Sequence, residues 1–288
     1  MEGLIIKGIG GFYYVKSEDK VWQCRARGIF KNEGIVPTVG DQVLIEVLPD
    51  GDGVVNEILP RRNSFIRPPI SSVDLLIIVI AAAKPKLNKE IIDKFLVMAE
   101  KSNTDIALCI NKIDIAEENT VEELINIYSD IYPLCCLSGK TGEGTEKLKN
   151  LLKDKKTALA GPSGVGKSTL LNYIQPGICA ETGDISQKTK RGRHTTRHVE
   201  IFNLNFGGMV FDTPGFTSFQ VLEANEEELE HFYPEMETFI GKCKYDNCRH
   251  IKEPDCAIIK AVSEGKISKS RYDSYVSQLL KIRENNKY

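Results

Sequence analysis

Four short stretches of this chain combine residue types that do chemistry at spacings that suit it. Gly161-Pro162-Ser163-Gly164-Val165-Gly166-Lys167-Ser168 reads G-x4-G-K-S. Glycines at those positions let backbone N–H groups close around phosphate oxygens, and the start of a following helix adds a favourable dipole. Lys167 is then placed to reach the β- and γ-phosphates. The Ser168 hydroxyl is placed to ligate Mg2+, with Thr169 beside it. Asp212-Thr213-Pro214-Gly215 ends a strand-like run, so Asp212 is expected to hold the same Mg2+ through a water, with Gly215 near the terminal phosphate. Cys243, Cys248, His250 and Cys256 offer three thiolates and one imidazole. That donor set suits a closed tetrahedral structural zinc site with no open catalytic position.

The fourth stretch, Asn111-Lys112-Ile113-Asp114, selects the base. Asp114 can accept two hydrogen bonds from guanine, at its ring N–H and exocyclic amine. Adenine offers neither in that geometry and would leave the carboxylate unpaired, at a cost of about 1–3 kcal/mol or more. Asn111 and Lys112 are expected to tie the base loop to the phosphate loop. Ser138-Gly139-Lys140 follows the next predicted strand, where backbone N–H groups can meet guanine O6. Together these point to GTP over ATP.

The position after Gly215 is Phe216, where many GTPases carry a water-orienting Gln. Phenylalanine cannot do that, so unassisted turnover is expected near or below about 10^-4 to 10^-3 per second. The segment Gln187–His198 carries five Lys/Arg and no acid, and it lies where a first switch loop belongs. Within it, Thr196 is favoured over Thr195 as a Mg2+ ligand, and His194 is a candidate to orient water or touch phosphate. The basic run also suits RNA phosphates.

The elements that must position these groups fall into three stretches. Residues 1–67 carry five short strand-like runs separated by glycine turns, which predicts an OB-fold barrel. Phe12, Tyr13, Tyr14, Trp22, Arg25, Arg27 and Phe30 are candidates for an RNA-binding face, although the first 70 residues balance nine basic against nine acidic groups. Arg61–Pro69 reads as a linker. Residues 68–220 alternate strands and helices as a doubly wound α/β domain. Residues 221–288 read as a small helical, zinc-stapled domain whose first helix opens at Glu226 with Asn225 as cap. The apolar run Leu75–Ala83 falls short of the roughly 20 residues a membrane span needs and reads as a buried parallel strand. No signal peptide is evident, net charge is −2, and the remaining cysteines read as buried free thiols. A cytoplasmic protein, a monomer without membrane contact, is expected.

The base motif precedes the phosphate loop, the reverse of an ordinary GTPase. The site is built from loops at the carboxyl ends of parallel strands, so such a permutation leaves it intact. With this order, the N-terminal barrel, the motifs NKID, SGK, GPSGVGKS, GRHTT and DTPG, and the C-terminal Cys-Cys-His-Cys knuckle, essentially the whole chain resembles the circularly permuted, small-ribosomal-subunit-dependent GTPases, the RsgA family. The resemblance implies a GTPase that binds the 30S subunit and 16S rRNA, acts late in subunit maturation and is stimulated by the subunit. It also implies that His194 assists hydrolysis there and that Thr196 is the switch threonine. Some relatives carry a basic N-terminal extension, whereas this chain opens almost at its first strand, so a contact made by such an extension is not expected. Two other readings are a GTP-gated RNA-binding module with incidental hydrolysis and a signalling GTPase acting on a protein.

Overall fold

The computed structural model describes residues 1–32, 34–49, 51–117, 119–178, 199–213, 216 and 224–285. Five strands form the N-terminal barrel: β1 (Glu2–Ile9), β2 (Phe12–Ser17), β3 (Lys20–Ala26), β4 (Gln42–Val47) and β5 (Gly53–Ile58), with a short helix α1 (Gly28–Asn32) after β3. They pair in the order β1-β2-β3-β5-β4, and β4 closes the ring on β1. Gly10 and Gly11 both take positive φ in the β1–β2 turn, as a tight two-residue hairpin requires. Ile5, Val15, Cys24, Val43, Ile45 and Val55 point inward and are buried.

The stretch after β5 is a rigid joint, not the linker its proline pair suggested. The Arg61 guanidinium forks onto the buried Asp41 carboxylate, at 2.7 Å from each of two nitrogens. Asp41 also accepts from the Ser71 hydroxyl at 2.6 Å. Asn63 brackets Val73, donating to its carbonyl at 2.8 Å and accepting from its N–H at 2.9 Å. Between these anchors β6 (Ser64–Phe65) pairs with β7 (Ile70–Ser71). The prolines occupy the turn of this hairpin, where no ladder N–H is needed.

The second unit is a six-stranded sheet of β8 (Leu75–Ala81), β9 (Asp105–Asn111), β10 (Leu134–Cys136), β11 (Lys156–Ala160), β12 (Glu200–Asn203) and β13 (Met209–Asp212), in the order β10-β9-β8-β11-β13-β12. All neighbours are parallel except β12, which runs antiparallel to β13. Every residue of β8 is buried. Because side chains alternate along a strand, Leu76, Ile78 and Ile80 enter one core with helices α2 (Lys89–Lys101) and α3 (Thr120–Tyr128), while Leu75, Ile77 and Val79 enter another with α4 (Thr145–Leu152) and α5 (Lys167–Ile174). The first core runs on into the barrel. At its far edge β12 meets β1, with Lys7 opposite Glu200, so barrel and α/β unit share one eleven-stranded sheet.

The third unit begins with turns. Asn225 Oδ1 accepts from the N–H groups of Glu227 and Glu228 at 3.0 and 2.8 Å. No α-helix follows, contrary to the expectation from the acidic run. The chain makes 3-10 turns at Leu229–Phe232 and Pro234–Met236, because Pro234 bars Tyr233 from helical geometry. Helices α6 (Ala257–Ser263) and α7 (Lys269–Asn285) complete the unit. Val97 of α2 joins its core. Beside it the fully buried Arg271 donates to Asp93 of α2 at 2.7 Å and forks onto Glu235 at 2.7 and 3.0 Å. Among the described residues no helix is long and apolar enough to cross a membrane.

Candidate functional site

The nucleotide motifs converge at the carboxyl ends of β8, β9, β11 and β13, where open α/β sheets bind ligands. Asn111, the last residue of β9, is 2% exposed and joins three loops. Its Nδ2 donates to Val165 O at 2.9 Å. Its Oδ1 accepts from the N–H groups of Gly139 at 2.9 Å and Lys112 at 2.8 Å. One amide thus fastens the phosphate loop, the base loop and the Ser138-Gly139-Lys140 loop together. Lys112 takes positive φ and stretches over the phosphate loop, donating to Gly164 O at 2.6 Å and Lys84 O at 2.5 Å. Asp114 lies on the following 3-10 turn and is exposed, leaving its carboxylate open to a base.

Ser138 is buried and accepts from the N–H groups of Lys140 and Thr141 at 3.3 and 3.1 Å. This bends the loop so that it sits on α5. A Cβ on Gly139 would lie 3.3 Å from the backbone of Leu170.

In the phosphate loop Gly161, Gly164 and Gly166 all have positive φ. A Cβ on Gly161 would meet Val79 O at 2.3 Å, and one on Gly166 would meet Asn111 Nδ2 at 2.5 Å. Glycine is required there by backbone conformation and by space. Pro162 and Ser163 form the arch between Gly161 and Gly164, and Val165 anchors it in the core. Lys167 Nζ lies within the arch, donating to Gly161 O at 2.6 Å and Pro162 O at 3.1 Å. Burial pushes its ammonium down to about 8. Ser168 and Thr169 stand exposed in the first turn of α5. Asp212 ends β13 opposite Glu200, and its carboxyl is raised by burial and by the Glu200 charge. A phosphate anion beside Lys167 and a cation beside Asp212 would each favour the charged form. The hydroxyl and carboxylate donors fit a hard divalent cation such as Mg2+.

Phe216 is fully buried, edge-on to Phe65 with ring centres 5.9 Å apart. Its carbonyl accepts from Gly161 N at 3.1 Å. The ring therefore serves the core. His194, Thr195, Thr196 and Gly215 lie outside the described residues.

In the third unit the ligating atoms of Cys243, Cys248, His250 and Cys256 lie within 4.8 Å of one another, a group able to hold a metal ion. The Cys243–Cys256 sulfur separation is 3.8 Å, the edge of a tetrahedron with metal–sulfur bonds of about 2.3 Å. His250 Nδ1 faces the cluster, 3.2 Å from Cys256 Sγ and 3.5 Å from Cys243 Sγ. The sulfurs accept N–H groups at the start of α6, Cys243 from Ala257 at 3.4 Å and Cys256 from Ile259 at 3.5 Å. These stabilise thiolate charge. His250 Nε2 turns away, toward Glu230 Oε2 at 2.5 Å. Sequence reasoning missed Glu230, because an acidic run looks like a solvated helix face.

On the barrel, the Lys20 ammonium sits 3.5 Å from the Trp22 ring centre and the Arg25 guanidinium 4.8 Å from that of Phe12. Tyr13, Tyr14 and Arg27 are at least partly exposed, whereas Phe30 is core.

Comparison with known proteins agrees with this geometry. The model of the RsgA GTPase family matches residues 58–222, and that of the RsgA N-terminal domain matches residues 2–55. The chain is 46% identical over its full length to the small ribosomal subunit biogenesis GTPase RsgA of Caldanaerobacter subterraneus subsp. tengcongensis, covering 97% of that protein. It is 44% identical to the protein of the same name from Clostridium acetobutylicum, with both chains covered in full. The crystal structure of YjeQ from Thermotoga maritima superposes with a TM-score of 0.86 at 36% identity, over 98% of each chain. That of YloQ, described as a circularly permuted GTPase, gives 0.81 at 38% identity, over 99% of this chain and 95% of that one. With its permuted motif order, barrel and Cys/His cluster, the chain belongs to the RsgA GTPase family and is a GTP hydrolase.

Proposed function

We propose that the chain hydrolyses GTP while bound to the small ribosomal subunit and acts late in that subunit's maturation. The observation that carries the nucleotide reading is the Asn111 amide, which holds the base, phosphate and Ser138 loops in one site. The names of its full-length relatives carry the partner. Asp114 reads guanine, and the Lys112 stem covers one face of the ring. N–H groups of residues 163–167 line the phosphates, with the Lys167 ammonium between them. Ser168 and Thr196, with Asp212 through a water, would hold Mg2+, which neutralises charge developing on the phosphate oxygens. Phe216 is locked in the core and orients no water, so His194 takes that role when the subunit engages the basic segment 187–198. The barrel's aromatic and basic face meets 16S rRNA by stacking and phosphate contact. The ion at Cys243, Cys248, His250 and Cys256 is zinc, chosen by three thiolates and an imidazole. The units are residues 1–67, 68–220 and 221–288. The protein works as a cytoplasmic monomer.

The test is GTP turnover with purified small subunits, with large subunits, and alone. Strong stimulation by small subunits only is expected. Tight GTP binding with no stimulation by small subunits overturns the ribosome-activated reading.

A further inference from the structure

The metal cluster lies between Cys243 and Cys256, yet the group that orients its histidine comes from outside that span. His250 is 2% exposed and its backbone takes positive φ. As a metal ligand an imidazole is neutral, with one N–H and one lone pair. Nδ1 faces the sulfurs, so Nε2 must carry the hydrogen and needs an acceptor. Glu230 Oε2 is that acceptor at 2.5 Å, with its side chain 14% exposed. Backbone contacts fix the ring's base. Tyr272 donates to His250 O at 2.7 Å and Tyr275 to Arg249 O at 3.1 Å.

Glu230 belongs to the stretch that enters this unit from the nucleotide domain. The same stretch is gripped elsewhere. Lys101 of α2 pairs with Glu228 at 2.6 Å. Arg249, next to His250, approaches Glu226 at 3.5 Å, and Arg283 Nε donates to Glu226 at 2.9 Å. Leu229 and Tyr233 on either side of Glu230 are fully buried, and a low-dielectric surround strengthens the carboxylate–imidazole bond.

We propose that Glu230 is the positioning residue of the metal centre. Its carboxylate holds His250 with Nδ1 toward the metal, and through His250 the metal fastens the incoming stretch 224–232 to the knuckle. This rests on the reading that the Cys3His cluster holds zinc. A carboxylate behind a ligating imidazole fixes the ring and raises its basicity, and losing such a partner typically costs about 10–100-fold in metal affinity.

The test uses the full-length protein, with zinc affinity measured by chelator competition and the cobalt(II) form followed by its visible spectrum. Glu230→Ala is expected to bind zinc about 10–100-fold more weakly and to shift the cobalt bands. Glu230→Gln keeps the shape and an acceptor but not the charge. It is expected to fall between the two, so the ranking survives even if the alanine variant folds poorly. Cys256→Ser serves as the ligand control. Wild-type protein that takes up neither metal refutes the zinc centre itself. Zinc binding by wild type with equal affinity in Glu230→Ala or Glu230→Gln leaves the zinc centre standing and overturns the role of Glu230. Hydrogen exchange after chelation separates the second half of the proposal. Faster exchange across 224–232 supports it, and a change confined to 243–256 overturns it.

Discussion

Removing the Asn111 side chain beyond Cβ tests whether one amide organises the nucleotide site. In Asn111→Ala three hydrogen bonds of 2.8–2.9 Å disappear. The partners fare differently. The Lys112 N–H is partly exposed and can hydrate, whereas Gly139 and Val165 are buried. A buried polar group left without a partner costs about 1–3 kcal/mol, so these two together cost about 2–6 kcal/mol. Water entering the space left by the amide favours the low end of that range. At about 1.4 kcal/mol per tenfold, the low end corresponds to at least a roughly 30-fold loss of GDP affinity if the loops separate. If they stay together, the same energy appears as lost stability of the nucleotide-free protein. Calorimetric titration with GDP and thermal unfolding without it, on wild type and variant side by side, capture both. A fall in affinity below about fivefold with an unchanged melting temperature would mean that the three loops do not depend on Asn111, and the reasoning fails.

Gly166→Ala places a methyl group 2.5 Å from Asn111 Nδ2 at a φ of +98°, so it is expected to abolish nucleotide binding in the same titration while leaving the barrel's Trp22 fluorescence unchanged. Arg271→Ala strands the buried Asp93 and Glu235 carboxylates and is expected to cost about 3–5 kcal/mol, read as faster amide exchange along α7; unchanged exchange would count against the pair as the lock on α2. Burial opposes ionisation of Glu253, but the N–H groups of Arg249, Ile251 and Lys252 at 2.8–3.0 Å hold its carboxyl at about 2. A lowered folded-state value stabilises the fold above the unfolded value of about 4.5, and this contribution is lost as pH falls toward 2. The stability gap between wild type and Glu253→Gln, measured by urea unfolding, should therefore shrink from pH 6 downward; a gap independent of pH would refute the assignment.

Much of the site could be read from the chain because its determinants are contiguous. The phosphate loop, the base motif and Ser138-Gly139-Lys140 each lie within a few residues, and each follows a strand whose apolar run announces it. β8 is legible because both its faces are buried, so the alternation of a half-exposed strand is absent. The remaining features depend on pairs far apart in sequence. Arg271 finds Asp93 across 178 positions. Alone, each looks like a solvent-facing charge. Lys7 and Glu200 meet at 2.6 Å only because β12 lies at the sheet edge nearest the barrel. The joint at Arg61–Pro69 looked like a linker for a related reason. Its rigidity comes from Asp41 and Val73, outside the segment, and the prolines themselves signal only a turn.

The shared sheet also has an order of assembly written into it. The ribosome releases β1 to β5 first, and these close into a ring without later residues. Next come β8, β9 and β10, which pair side by side in the order of their synthesis. β11 then joins the open flank of β8, and the β12–β13 hairpin adds beyond it. β9 to β11 each land on an edge already made, whereas the β12–β13 hairpin fills the gap between β11 and β1. The ladder contact that joins the barrel to the α/β unit is the one between Lys7 and Glu200. Two blocks thus become a single sheet only once β12 and β13 have been made, at residue 212 of 288. The exposed flanks of β1 and β13, each a template for unwanted pairing until then, cover one another through β12.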